Sequence, residues 1–349
     1  MTGKKFARIT LILTAVLLSS VATVNILIDP LFQYHKPWFG MKSVITNERY
    51  QNAGVIKNFD FDNVVMGNSF SENFRLSEVD NIFGGTSSKL TMNGSTALEW
   101  SYILSLLYDR SHHPEVIMMN IDPYVFKAST EQTIFPFPSF LYNKNIVDDV
   151  EYMFNYSIFN DFTVETINRN IMNDIPENDT LFMWENDFKI GKDYVLKDYQ
   201  RPKISKENPD INAYVENTTK NLTLLTKYID LMRETEFIFF VSPFSMAYWD
   251  EQSRLNSVAM QKAAYIEMCK VLTCRDNVKL YIWTDDEMLC VMSNLDNYKD
   301  TRHYSAAINS DILNRIKENR GLISKENYDL EIERLFRFIE TFDYDSLFL

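Results

Sequence analysis

Glycine is scarce in this 349-residue chain. The nine glycines, at positions 3, 40, 54, 67, 84, 85, 94, 191 and 321, nowhere give the spacing of a dinucleotide-binding fingerprint or of a P-loop. Nucleotides cradled by glycine turns are therefore excluded. Histidine and cysteine are scarcer: His35, His112, His113 and His303, with Cys269, Cys274 and Cys290. Zinc ribbons and fingers need paired ligands at short spacing, which these positions do not supply, so neither metal nor cofactor is expected. An odd cysteine count also argues against a disulfide scaffold. One bridge, Cys269 to Cys274, stays open for the oxidising side of a membrane and is not favoured. Basic residues are outnumbered, 35 against 48 acidic, for a net charge of −13. Three of those cations, Lys4, Lys5 and Arg8, precede Asp29, which leaves 32 against 48 from Asp29 onward. Nucleic-acid binding depends on Lys and Arg displacing condensed counterions, so DNA and RNA are poor partners for such a chain.

What is plentiful is apolar surface, 46% of residues with 14% aromatic, which places the chain among globular proteins of one large or two ordinary domains. One run stands apart. Ile9 to Ile28 carries no charge over 20 residues. At about 1.5 Å per residue that spans the roughly 30 Å hydrocarbon layer. With Lys4, Lys5 and Arg8 just before it, the positive-inside rule predicts a cytoplasmic N-terminus over 1–8, an anchor over 9–28 and an extracytoplasmic domain over 29–349. A cleaved signal peptide, with Ser20 and Ala22 at the small-residue positions, is the competing reading. The anchor is favoured because the apolar stretch continues through Val24, Ile26, Leu27 and Ile28.

Beyond Asp29, short apolar runs of strand length occur at Asn63–Gly67, Lys89–Met92, Glu115–Ile121, Glu236–Val241 and Asn277–Trp283. Helical periodicity fills Thr96–Tyr108, Ile211–Met232, Arg254–Leu272 and, at the end, Tyr328–Phe342. This alternation predicts a three-layer α/β fold around a doubly wound parallel sheet. The stretch 123–209, with a helical run over Ile158–Met172, breaks the rhythm and reads as one large insertion capping the sheet.

Ligands of such sheets bind beyond the carboxyl ends of the strands. After the first strand comes Gly67-Asn68-Ser69-Phe70-Ser71-Glu72, a glycine turn leading from strand to helix with a serine at the junction. Ser69 with Glu72 three residues on is also a capping box, and taken alone that bland reading wins. The second piece, Asp300-Thr301-Arg302-His303, lies after the last strand. An aspartate three residues before a histidine can accept the Nδ1 proton and leave Nε2 outward as a general base. Either residue alone would be an ordinary turn residue; beside a strand-end serine they form a candidate triad. His35, His112 and His113 have no such context, and the latter two are expected to be solvated.

Gly67-Asn68-Ser69, Gly94 and Asp300-Thr301-Arg302-His303 resemble the ordered blocks of the SGNH (GDSL-type) hydrolase superfamily over most of the exported domain. The anchor, the Gly67–Phe74 run and the Pro243–Trp249 segment resemble its membrane-anchored members associated with bacterial surface-polysaccharide and capsule assembly. Proteins of lipoteichoic acid D-alanylation and alginate acetylation are more distant in kind. The resemblance implies Ser69 as nucleophile, His303 as general base, Asp300 as its orienting acid and Gly94 as a backbone oxyanion donor. Two departures stand out. Asn68 replaces the family's aspartate before the serine, and the Gly-x-Asn-Asp block is not intact, since the third strand ends Met119-Asn120-Ile121-Asp122. Asn120 or Asp122 takes that position, and an aspartate could donate to an oxyanion only if protonated.

The implied activity is acyl transfer through an acyl-serine, giving an O-acyltransferase or esterase for a cell-surface polysaccharide or teichoic-type polymer. Phe135, Phe137, Tyr248 and Trp249 are candidate aromatic lips for sugar rings, against a plain reading as ordinary packing. A transferase outside the membrane has no cytosolic acyl-coenzyme A, so a membrane-bound acyl-handling partner is expected. Two other functions compete. One is a non-catalytic polysaccharide-binding or assembly factor on the same fold. The other is a metal-dependent phosphoesterase using Asp285, Asp286 and Glu287, a run more often found as a solvated loop.

Overall fold

The computed structural model describes residues 3–349. Helix α1 (Gly3–Ile28) and α2 (Glu48–Asn58) precede strand β1 (Asn63–Gly67), which runs into a single helical turn, α3 (Ser69–Glu72), and then α4 (Leu76–Phe83). β2 (Ser87–Thr91), α5 (Ala97–Tyr108) and β3 (Val116–Asn120) follow. Short helices α6 (Asp149–Met153), α7 (Val164–Met172) and α8 (Lys192–Asp198) and the long α9 (Ile211–Leu231) lead to β4 (Glu236–Phe240). The chain closes with α10 (Met246–Arg254), α11 (Val258–Leu272), β5 (Val278–Tyr281), α12 (Asp286–Ser293), α13 (Ala306–Lys317), β6 (Leu322–Ile323) and α14 (Tyr328–Thr341).

The chain divides into two compact units. One comprises residues up to Asp60 with Phe137–Glu177, the other Phe61–Pro136 with Asn178–Leu349. The stretch 123–209, expected as one cap, is thus split between them. The larger unit is mixed α/β and holds a six-stranded sheet in the order β2-β1-β3-β4-β5-β6. All pairs are parallel except β5 with β6. β1 and β3 are buried along their whole length, which is why their residues form unbroken apolar runs instead of alternating. The two-residue β6 is too short to leave a periodic signal. α5, α9, α11 and α14 pack in a row, each on the next, and α13 packs on α4.

Local chemistry sets the helix ends. Thr96 and Glu99 form a reciprocal capping box at the start of α5, with the Thr96 N–H donating to Glu99 Oε2 at 2.9 Å. The helix expected over Arg254–Leu272 begins only at Val258, because Asn256 adopts a left-handed φ of 57° and separates α10 from α11.

In the smaller unit α1 has two characters. It is exposed up to Ser20, while Ala22 and Asn25 are buried. Asn25 Nδ2 donates to the Met153 carbonyl at 3.0 Å, and Thr163 Oγ1 donates to Asn25 Oδ1 at 2.8 Å. Asp29, at a left-handed φ of 43°, ends the helix. Its carboxylate accepts the backbone N–H groups of Gln33, Tyr34 and His35 and the Tyr152 hydroxyl. Burial nonetheless raises its pKa, because desolvation outweighs those bonds. By length and composition α1 can cross a membrane.

Thr96→Ala removes half of the α5 capping box and is expected to lower the unfolding free energy by about 1 kcal/mol in urea titrations of the detergent-solubilised chain. An unchanged midpoint would show that the cap does not hold the helix end.

Candidate active site

Gly67 ends β1 at a φ of 125°, where a side chain is strained. Space forbids one as well: a Cβ here would lie 2.1 Å from Asn120 Oδ1 and 2.8 Å from Ser71 Oγ. The helical turn that follows is capped by Asn68, whose Oδ1 accepts the Phe70 N–H at 3.2 Å. The expected Ser69–Glu72 capping box is therefore absent. Ser69 sits one residue inside the helix, where a side chain cannot reach back to cap it, and its hydroxyl is released for another partner.

That partner is His303. Ser69 Oγ lies 2.8 Å from His303 Nε2, across 234 residues of sequence. On the far side of the ring, Nδ1 meets Asp300 Oδ2 at 2.8 Å and Oδ1 at 3.1 Å. An ionised carboxylate only accepts, so Nδ1 carries the proton and Nε2 presents its lone pair to the serine hydroxyl. Burial opposes ionisation of Asp300, but its hydrogen bond with the His303 ring outweighs it, helped by the backbone N–H groups of His303 and Arg302. These hold the carboxyl well below its usual range. Asp300 Oδ1 accepts those two N–H groups at 2.9 and 2.8 Å, folding the aspartate loop into an Asx turn. The loop is pinned by a Tyr298–Tyr304 bridge and by Lys299 N–H to the His303 carbonyl.

The imidazole is fixed by its neighbours. Phe70 stacks on it at 4.7 Å and Trp184 meets it edge-on at 5.4 Å. Trp184 Nε1 also donates to the Ser69 carbonyl at 2.8 Å, so one residue touches both members of the pair. Sequence reasoning missed Trp184, because its segment has no regular periodicity to mark it. The Asn73 side chain accepts the backbone N–H groups of Trp184 and Glu185, a contact across 111 residues that leaves no local signal.

Gly94 lies in the turn after β2, at a φ of 59°. That turn is fastened to the serine turn: Met92 N–H and Ser95 Oγ both donate to the Gly67 carbonyl, at 2.9 and 3.1 Å. The N–H groups of Ser69 and Gly94 donate to no acceptor among the described residues. Phe135 lies over Gly94, its ring 2.7 Å from where a Cβ would stand.

Asn120 is not an oxyanion donor. It is fully buried and its amide is spent: Oδ1 accepts from Asn68 N–H and Ser71 Oγ, and Nδ2 donates to Asn68 Oδ1 and Asp122 Oδ2. Asp122 is likewise withdrawn, accepting Ser242 N–H at 2.7 Å and Ser242 Oγ at 2.9 Å. Burial pushes its carboxyl up to about 6, against the pull of those hydrogen bonds. Tyr248 and Trp249 are not exposed aromatic lips. Both are buried, Tyr248 bonding Gln261 through its hydroxyl and Trp249 packing edge-on against Phe336, because α10 turns its apolar face inward. Phe137 belongs to the smaller unit and packs on Tyr142.

The acidic run is occupied by arginines, which removes the phosphoesterase reading. Asp285 caps α12 and pairs with the buried Arg315 at 2.8 Å, Glu287 pairs with Arg315 and Arg320, and Asp286 pairs with Arg334. All three cysteines are free thiols, so Cys269 and Cys274 are not bridged. His112 and His113 are exposed. The chain matches no known protein-family model and no curated protein.

Two outcomes follow from this packing. Gly67→Ala must displace Asn120 and is expected to cost more than about 2 kcal/mol, read by thermal unfolding; tolerance of alanine would contradict the close approach. Asp122 holds a proton in the folded state up to about pH 6, whereas the unfolded chain releases it near the ordinary carboxyl value. Its contribution to stability is thus complete at low pH and is lost as pH rises through that window. The stability difference between the native chain and Asp122→Asn is expected to shift against the native chain by on the order of 2 kcal/mol between about pH 4 and 6.5. A pH-independent difference would contradict the raised value.

Proposed function

We propose that the chain is a membrane-anchored, extracytoplasmic serine acyl-transfer enzyme of SGNH type, an O-acyltransferase or esterase for a cell-surface polysaccharide or teichoic-type polymer. The observation that carries this reading is the Ser69–His303–Asp300 array, with 2.8 Å at both of its hydrogen bonds. Serine hydroxyls are poor nucleophiles at neutral pH, so His303 Nε2 takes the proton as Ser69 Oγ bonds to an ester carbonyl carbon. Asp300 holds the imidazolium that results. The carbonyl oxygen gains the charge, and the unspent N–H groups of Ser69 and Gly94 are the donors for it, a contribution typically of several kcal/mol. Collapse breaks the ester C–O bond and the leaving alkoxide takes the proton from His303, leaving acyl-Ser69. A second hydroxyl then repeats the steps in reverse. Water gives an esterase and a sugar hydroxyl gives a transferase with the same residues.

The anchor reading is supported by α1, whose charged start and uncharged length suit an N-terminus-inside span. Burial of Ala22 and Asn25 within the smaller unit favours retention over cleavage near Ala22. A membrane-bound acyl-handling protein would supply the donor outside the cell. One observation favours the non-catalytic alternative, an assembly or binding factor: Asn120, the side chain nearest in kind to an oxyanion donor, is turned away from Ser69.

Turnover of p-nitrophenyl acetate by the full chain separates the two. Ser69→Ala and His303→Ala are each expected to remove nearly all activity, and the double variant to add little, since triad members act as a unit. Asp300→Asn is expected to lose up to about four orders of magnitude while remaining folded. Additive losses, or full turnover by Ser69→Ala, would overturn the proposal.

A further inference from the structure

Residues that follow β3 and β4 line a cavity of about 730 Å³ in the larger unit, within the usual range for small-ligand sites. Neither Ser69 nor His303 lines it, but residues in contact with their chain neighbours do. Tyr124 lines the cavity, meets the Asn68 side chain through its hydroxyl and packs edge-on against Phe70, so it touches the residues on either side of Ser69. Arg302, which precedes His303, lines the same cavity and lies 5.7 Å from the Tyr124 ring. A group held there is therefore adjacent to the reacting centre without being the group that reacts.

The lining selects its ligand by charge. Glu207, Asp210 and Glu251 face two cations, Lys127 and Arg302. The Arg302 guanidinium is spread over the faces of Tyr124 and Tyr248, at 5.7 and 6.0 Å, which lowers its appetite for an anion. Three carboxylates against two cations leave the lining net negative, which disfavours phosphate and uronate. Glu207, Glu251 and Lys127 form no ion pair among the described residues, which leaves uncommitted acceptors and donors of the kind that sugar hydroxyls need.

We infer that this cavity is a glycan subsite that takes a neutral, hydroxyl-rich sugar residue of the acceptor polymer, displaced along the chain from the hydroxyl that reacts. The inference rests on the acyl-transfer reading above. Within that reading it selects neutral polysaccharide over phosphate-rich polymer.

The test uses the full chain carrying Ser69→Ala, in detergent, titrated calorimetrically with cellotetraose, chitotetraose, tetragalacturonate and inorganic phosphate. At least one neutral tetrasaccharide is expected to saturate the protein below about 10 mM, a weak but measurable affinity, with the two anions at least about tenfold weaker. Glu251→Gln and Lys127→Ala, on separate elements, are each expected to weaken the neutral ligand about tenfold or more. In the background that keeps Ser69, both variants are expected to leave p-nitrophenyl acetate turnover unchanged, since that ester does not need the cavity. No saturation by either neutral sugar, tighter binding of an anion, or indifference to both substitutions would overturn the assignment. Binding intact with no ester turnover in the Ser69 background would instead sink the catalytic reading alone, and turnover without binding would sink the subsite alone.

Discussion

The absence of a Cβ at Gly67 is the constraint on which the site depends. It lets the Asn120 amide seat 2.1 Å from where that carbon would be. There the amide holds the Asn68 N–H and the Ser71 hydroxyl at once. The carbonyl of the same glycine fastens the turn that carries Gly94. One residue at the carboxyl end of β1 thus joins β3, the β2 turn and the serine turn. Asp122 extends the same network to the end of β4 through Ser242. A buried polar network of this kind fixes a single arrangement only when every member is satisfied, and here each Asn120 amide atom has two partners.

The other half of the site arrives from the opposite end of the chain. Asn309 Nδ2 and the Tyr304 hydroxyl both donate to the Phe70 carbonyl, at 2.9 and 3.4 Å, so α13 and its preceding loop are stapled to the serine turn itself. Phe70 and Trp184 then set the plane of the imidazole. Positioning of this kind matters more to rate than any single contact energy, because reacting groups must be held to a few tenths of an ångström.

How much of this was legible in the sequence depended on how local the cause was. β1, β3 and β4 announced themselves because strands buried on both faces must be continuous apolar runs. Ser69, Asp300 and His303 were legible because a glycine turn and an i, i+3 pair are short-range patterns. The identity of the cap was not, since Asn68 and Ser69 are both good caps and only tertiary contact with His303 distinguishes them. Asn120 looked like a donor in reserve until its four bonds, to Asn68, Ser71 and Asp122, were in place. Tyr248 and Trp249 read as exposed lips because an aromatic pair near a strand end has the same sequence whether it faces solvent or core. The division of 123–209 between two units follows from packing against residues before Asp60, which periodicity does not report.

The central claim is that Ser69 is a nucleophile and not a structural residue of the first helical turn. Exposing the full chain to a fluorophosphonate, followed by peptide mass spectrometry, tests it most directly. The account predicts one phosphonyl adduct, on Ser69, whose formation collapses in His303→Ala. Labelling confined to other serines, or no adduct under conditions that saturate a control serine hydrolase, would contradict it.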